Sequence, residues 1–164
     1  MLRPFRPLLL IAGCATTAVG CGAEHPFAPR TAMFSLAASA CQNIEGTDVA
    51  QFTSQTTAVG TLSGDLAGTF DAVIDEIRPG DDGSLHLVAH RTIVNALGTI
   101  STSDGGVLSP LEPPLYRANG HYDFVSGTGI YAGVSGGIRI HGDVNLATGE
   151  VSLRYNGRIC GVSS

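Results

Sequence analysis

The stretch Phe124-Val-Ser-Gly-Thr-Gly-Ile-Tyr-Ala-Gly-Val-Ser-Gly-Gly-Ile-Arg-Ile-His-Gly-Asp143 decides the fold class. Two short strand-like runs, one ending near Val125 and one resuming at Gly137, flank a glycine-rich loop that carries a single aromatic, Tyr131. Glycines at 127, 129, 133, 136 and 137 free the backbone for positive φ and for close approach of neighbouring chain. A hairpin of this kind belongs to a small all-β barrel. It specifies an architecture and carries no reaction of its own.

Outward from this hairpin the chain reads as strand after strand from about residue 42. Val49 to Thr53 alternates, and Ala58 to Leu62 and Ala67 to Ile77 follow. In the third of these, Phe70, Ala72 and Ile74 face one way while Asp71, Val73 and Asp75 face the other. Arg78-Pro-Gly-Asp-Asp-Gly83 is a turn, Ser84 to Asn95 the next strand, and Gly98 to Ser103 the one after it. Residues 104–115, with two adjacent glycines and three prolines, read as the longest loop. Arg117 to Val125, Gly137 to Leu146 and Val151 to Ile159 complete the set, the last two joined by the tight turn Ala147-Thr-Gly149. The expectation is a single eight-stranded antiparallel barrel over residues 42–164. Eight strands enclose an interior that either fills with side chains or holds one small ligand. Phe70, Ile74, Tyr122, Phe124, Ile138 and Ile140 are the expected lumen-facing residues.

Residues 1–20 have the form of an export signal: Arg3 and Arg6, then an apolar core beginning at Leu8, then small residues up to Gly20. The apolar stretch is too short to span a membrane. Ala18-Val-Gly-Cys21 has the form of a bacterial lipobox, which makes Cys21 the expected lipidation site and residues 21–41 a tether. Ile11-Ala-Gly-Cys14 and Ala38-Ser-Ala-Cys41 are alternative boxes, and Ala38-Ser-Ala40 is also a cleavage site for soluble secretion. Either route puts the protein outside the cytoplasm, in the cell envelope or beyond it, with contact to membrane only through the lipid. Export leaves 9 − 2 = 7 arginines against 14 acidic residues, a net charge of −7 with no lysine and no basic cluster. That balance excludes nucleic acid as a partner. In an oxidising compartment Cys41 and Cys160, at the two ends of the body, are expected to pair. Closing so long a loop is worth on the order of 4–5 kcal/mol in the chain-entropy model.

Gly127-Thr-Gly-Ile-Tyr-Ala-Gly-Val-Ser-Gly136, followed by a hairpin ending Tyr155-Asn-Gly-Arg-Ile159, resembles the allene oxide cyclase-like barrels and the related dirigent pattern of plants. The resemblance implies an eight-stranded antiparallel barrel with a central cavity. Some members of that group cyclise or couple small organic molecules held there. The glycine-rich motif is structural in such proteins, so no catalytic residue is carried over.

Candidate chemistry is sparse. Symmetric pairing about Tyr131 sets His121 opposite His141 and Asp123 opposite Arg139, about 5 Å apart at Cβ. Two imidazoles so placed form a weak metal or proton-relay candidate, on a face that points to water if Tyr122, Phe124, Ile138 and Ile140 point inward. His86 and His90 share a solvent face of the fourth strand, opposite Leu85, Leu87 and Ala89. Glu76, on the parity of Phe70, Ala72 and Ile74, is placed at the barrel mouth, where an apolar setting would raise its pKa. No nucleophile elbow, P-loop or His-Glu-x-x-His run occurs, and no cofactor is expected. Two functions follow: a barrel that holds a small apolar molecule or serves as a structural module, and a cyclase- or isomerase-like enzyme with Glu76 or Tyr131 as polar handle. Oligomeric state stays open.

Overall fold

The structure, a computed structural model, describes residues 41–163. The export segment, the candidate lipidation site Cys21 and the tether lie outside the described residues. Eight antiparallel strands follow one another around a closed barrel. They are β1 (Cys41–Phe52), β2 (Thr57–Gly64), β3 (Gly68–Pro79), β4 (Leu85–Asn95), β5 (Gly98–Glu112), β6 (Leu115–Gly127), β7 (Ser135–Asn145) and β8 (Glu150–Cys160). A single 3-10 turn, Gly129–Tyr131, sits between β6 and β7.

Each strand connects to the next by a short turn and pairs with the strands before and after it in the chain. Closure is made by β8 pairing with β1 in unbroken register from Cys41 opposite Cys160 to Gln51 opposite Glu150. Closure removes the free sheet edges that would otherwise template pairing with other chains. Cys41 and Cys160 form a disulfide at one end of this seam.

That end of the barrel is plugged. Ile44, Leu62, Leu66, Ile93, Ile100, Phe124, Ile138 and Ile159 are all buried there, with Tyr131 and Val134 from the glycine-rich connection set across them. The connection docks backbone to backbone on the β4–β5 turn: the amide of Ile130 donates to the Leu97 carbonyl at 3.1 Å and that of Thr128 to the Thr99 carbonyl at 2.9 Å. Gly129 allows this contact, because its φ is +63° and a Cβ there would lie 2.1 Å from the Leu97 oxygen.

Three local expectations need correction. Residues 104–115 are not a loop: β5 runs to Glu112, and Gly105 and Gly106 pair with His121 and Gly120 in the β5–β6 ladder. Hydrogen bonding to β4 on one side and β6 on the other outweighs the breaking tendency of the glycines; Pro110 lies within β5 opposite Tyr116, and Pro113 and Pro114 make the turn to β6. Next, the β6–β7 hairpin is centred on Ile130, not Tyr131: Asp123 pairs with Gly137, His121 with Arg139 and Asn119 with His141. Moving the centre by one residue moves every partner by two, so faces are kept and partners exchanged. Finally, β3 carries a bulge between Ile74 and Glu76, with Asp75 as the extra residue. Beyond the bulge Glu76 lies beside the exposed Val88, on the outer face.

Reducing the disulfide, or replacing Cys41 with Ser, is expected to cost about 2–5 kcal/mol in urea unfolding, with a steeper slope on denaturant because the released unfolded chain exposes more surface. A loss of a few tenths would mean that the β1–β8 hydrogen bonds hold the seam unaided.

Candidate functional site

Away from the plug the interior changes character. The inward residues of the next level are small: Ala50 on β1, Ala58 on β2, Ala72 on β3, Ala89 on β4, Gly106 on β5 and Ala118 on β6. Small side chains on six consecutive strands cannot meet across a barrel of this size, and they leave a cavity of about 110 Å³. Its rim is made by partly exposed Phe52, Ile74 and Leu87, so it lies toward the end opposite the disulfide.

The floor of the cavity is charged. Arg91 on β4, Asp48 on β1 and Asp104 on β5 are only 9%, 1% and 6% exposed. Arg91 Nε donates to Asp104 Oδ2 at 2.5 Å, and its Nη1 donates to Asp48 Oδ2 at 2.9 Å. The Tyr122 hydroxyl donates to the same Asp48 oxygen at 2.8 Å, and the Thr102 hydroxyl donates to Asp104 Oδ1 at 2.5 Å. The guanidinium carbon lies 3.5 Å from the centroid of the Tyr122 ring and 4.6 Å from that of Phe70. The planar cation therefore has aromatic faces to stack on as well as carboxylates to bond. Among the described residues, Asp48 Oδ1 is the buried side-chain polar atom left with no hydrogen-bond partner. That oxygen is sealed from the cavity, so its unmet hydrogen bond is a cost held within the cluster.

Burial pushes the Asp104 carboxyl above its usual range, with the Asp48 charge adding to the effect and Arg91 and Thr102 opposing it. Burial likewise raises the Tyr122 phenol well above its usual value, against the pull of Arg91. For Arg91, burial works against the cation, but Tyr122, Asp104 and Asp48 outweigh it, and the guanidinium stays charged.

The residues expected from sequence are dispersed. Phe70, Ile74, Tyr122 and Ile140 line the cavity; Phe124 and Ile138 are buried but lie outside its lining, toward the plug. Tyr131 is buried too, yet its hydroxyl is bonded by Asn95 Nδ2 at 3.0 Å in the plug, away from the cavity lining. Glu76, expected inside the mouth with a raised pKa, is 44% exposed on the outer face and paired with Arg78. The hydrogen bond from Arg78 holds its carboxyl below the usual range. Because the bulge turns Glu76 outward, it loses its place as a polar handle. His121 and His141 are both exposed and are not opposite one another, so the register removes the geometry that made them a metal candidate.

Arg91, Asp48 and Asp104 were not singled out by the sequence reading, though a signal was there. Leu85, Leu87 and Ala89 mark the inner parity of β4, and two residues on that parity is Arg91, followed by Ile93. A charge on the apolar side of a strand requires a buried partner.

No family model, no curated protein and no solved structure matches this chain.

Replacing Arg91 with Leu strands two buried carboxylates and is expected to cost about 3–5 kcal/mol at pH 7. Asp104 already holds its proton more tightly folded than unfolded. Its contribution to stability is therefore fullest below the unfolded carboxyl range and is lost as pH rises through its elevated folded value. Without Arg91 that elevation grows, so the deficit of the variant should shrink from pH 7 to pH 5 in parallel urea titrations. An equal deficit at both pH values would mean that the carboxyls carry no charge in the fold.

Proposed function

We propose that this chain is an exported barrel that holds one small, largely apolar molecule in its lumen. The observation that carries the proposal is the cavity itself: apolar walls of small residues over a charged floor. A barrel needed only as a stable body has no use for buried charge at the base of an open space, since packed apolar side chains of similar volume are often as stabilising. The disulfide is compatible with an extracellular or periplasmic location. Together with the N-terminal pattern it supports export, with lipid attachment at Cys21 as the anchor. The resemblance to allene oxide cyclase-like barrels supports the same function, since a lumenal ligand is what that resemblance implies. The purely structural alternative draws support from the plugged half, where side chains fill the interior.

A second reading, a cyclase- or isomerase-like enzyme, is favoured by one feature. Asp104, with its raised pKa, lies beside a fixed cation in a secluded cavity, which is the setting a proton donor or acceptor needs. In that reading Asp104 takes the role that Glu76 and Tyr131 vacate.

Native mass spectrometry of the full chain, made with its export segment, tests the binding function. The expected result is a small-molecule adduct that survives native but not denaturing conditions, and that disappears when Ala89→Leu fills the cavity. A folded protein with no adduct, and an Ala89→Leu variant at least as stable as the parent, would support the structural module instead. Turnover of the captured molecule, lost in Asp104→Asn, would establish the enzyme.

A further inference from the structure

We infer that the molecule taken into the lumen presents a neutral oxygen acceptor, a ketone, aldehyde or ester carbonyl, to Arg91 Nη2, with a short apolar substituent lying among the alanines. This rests on the proposal that the lumen binds a small molecule, and it names the chemistry of that molecule.

A guanidinium carries five N–H groups in one plane and accepts nothing. Arg91 directs Nε at Asp104 and Nη1 at Asp48, which uses two of them. Among the described residues Nη2 makes no hydrogen bond, yet it is not a sealed atom: the buried side-chain polar atom without a partner is Asp48 Oδ1 alone. Nη2 therefore keeps open surface. Arg91 is only 9% exposed and lines the cavity, so that surface belongs to the lumen. The cation is also held in place. Two carboxylates fix two of its nitrogens, and the Tyr122 ring lies 3.5 Å from its carbon. An open donor on a fixed plane, inside an apolar-walled space, is a seat for an acceptor.

Charge and the remaining hydrogen bonds choose among acceptors. Asp48 and Asp104 already face Arg91 as two carboxyls against one cation. A carboxylate or phosphate would add an anion to a buried site whose cation is matched already, with or without a proton on Asp104. An alcohol accepts from Nη2 but brings an O–H that needs an acceptor in turn. Both Asp104 oxygens are engaged, by Arg91 and by Thr102, and Asp48 Oδ1 is out of reach. An ammonium brings donors to a floor whose open group is itself a donor. A carbonyl supplies acceptor capacity and leaves nothing to be satisfied elsewhere.

The walls set the rest of the ligand. Arg91 stands opposite Ala72 in the β3–β4 ladder, and the next inward residue toward the rim is Ala89. Ala58, Ile140 and Val151 close the space from other strands. The group attached to the carbonyl carbon thus meets methyl groups. A cavity near 110 Å³ suits about four or five heavy atoms, on the scale of the ~150 Å³ cavity that accepts benzene.

Three probes of similar size test this on the full chain with its disulfide intact: 2-butanone labelled with ¹³C at the carbonyl, butanoate and n-butylammonium, each followed by NMR. At pH 7.5 butanone is expected to bind at least about tenfold more tightly than either ion. Its bound carbonyl resonance should lie downfield of the value in hexane, as for an oxygen accepting from a cation, and a guanidinium N–H signal of Arg91 should move with it. Arg91→Lys keeps a cation and removes the Nη2 donors, so it should abolish the downfield shift. The carbonyl position in the parent protein decides the matter even if that variant fails to fold. Bound butanone at its hexane position, or either ion binding as tightly as the ketone, would overturn the inference and leave the lumenal binding function standing. If none of the three probes enters, the binding function falls with it.

Discussion

Everything in this molecule depends on the closing of the sheet. β8 returns to β1 over an eleven-residue strand, and the Cys41–Cys160 bridge ties the two outer ends together. An open sheet of these strands would expose two edges and would leave its apolar face half covered. Closed, it satisfies its own backbone and creates an inside. Only with an inside do the alternating residues acquire distinct fates, because parity now separates lumen from solvent on every strand at once.

The interior is graded along the barrel axis, and each level follows from side-chain size. Large aliphatic and aromatic residues with the Tyr131 connection fill one end. Alanine and glycine at the other end leave space. Between them lies a layer where four strands contribute Asp48, Arg91, Asp104 and Tyr122. Placing charge at the boundary between a filled and an unfilled region is costly unless each group finds partners, and all but one oxygen do. The plug below keeps the layer from solvent on that side, so access is from the rim alone.

Much of the fold was legible in the chain, because strands with one buried face write themselves as a period of two. Phe70-Ala72-Ile74 and Tyr122-Phe124 are inward as their alternation implies, and Ile138 and Ile140 are inward with them. The failures share a cause. The Asp75 bulge, the centre of the β6–β7 hairpin and the extension of β5 through Gly105 and Gly106 are all settled by what the neighbouring strands present. A bulge leaves no residue-type signature, and a glycine that breaks an isolated strand is tolerated when ladders hold it on both sides. Glu76 illustrates the consequence: a single inserted residue moves it from the lumen to the surface.

By itself the sequence determined the all-β architecture, the facing of most strand residues, and the pairing of the two cysteines that bound the body. These are local properties, written in alternation, turn residues and the positions of thiols. What only the tertiary structure decided is which inward polar residues share a level. Asp48 and Tyr122 stand 74 residues apart and Asp48 and Arg91 stand 43 apart, yet they meet within hydrogen-bond distance. Parity on one strand says that a side chain points inward; it says nothing of its height relative to a strand halfway round the barrel. That height is set by the stagger accumulated through all the intervening ladders, bulges included, which becomes definite only when the last strand closes on the first.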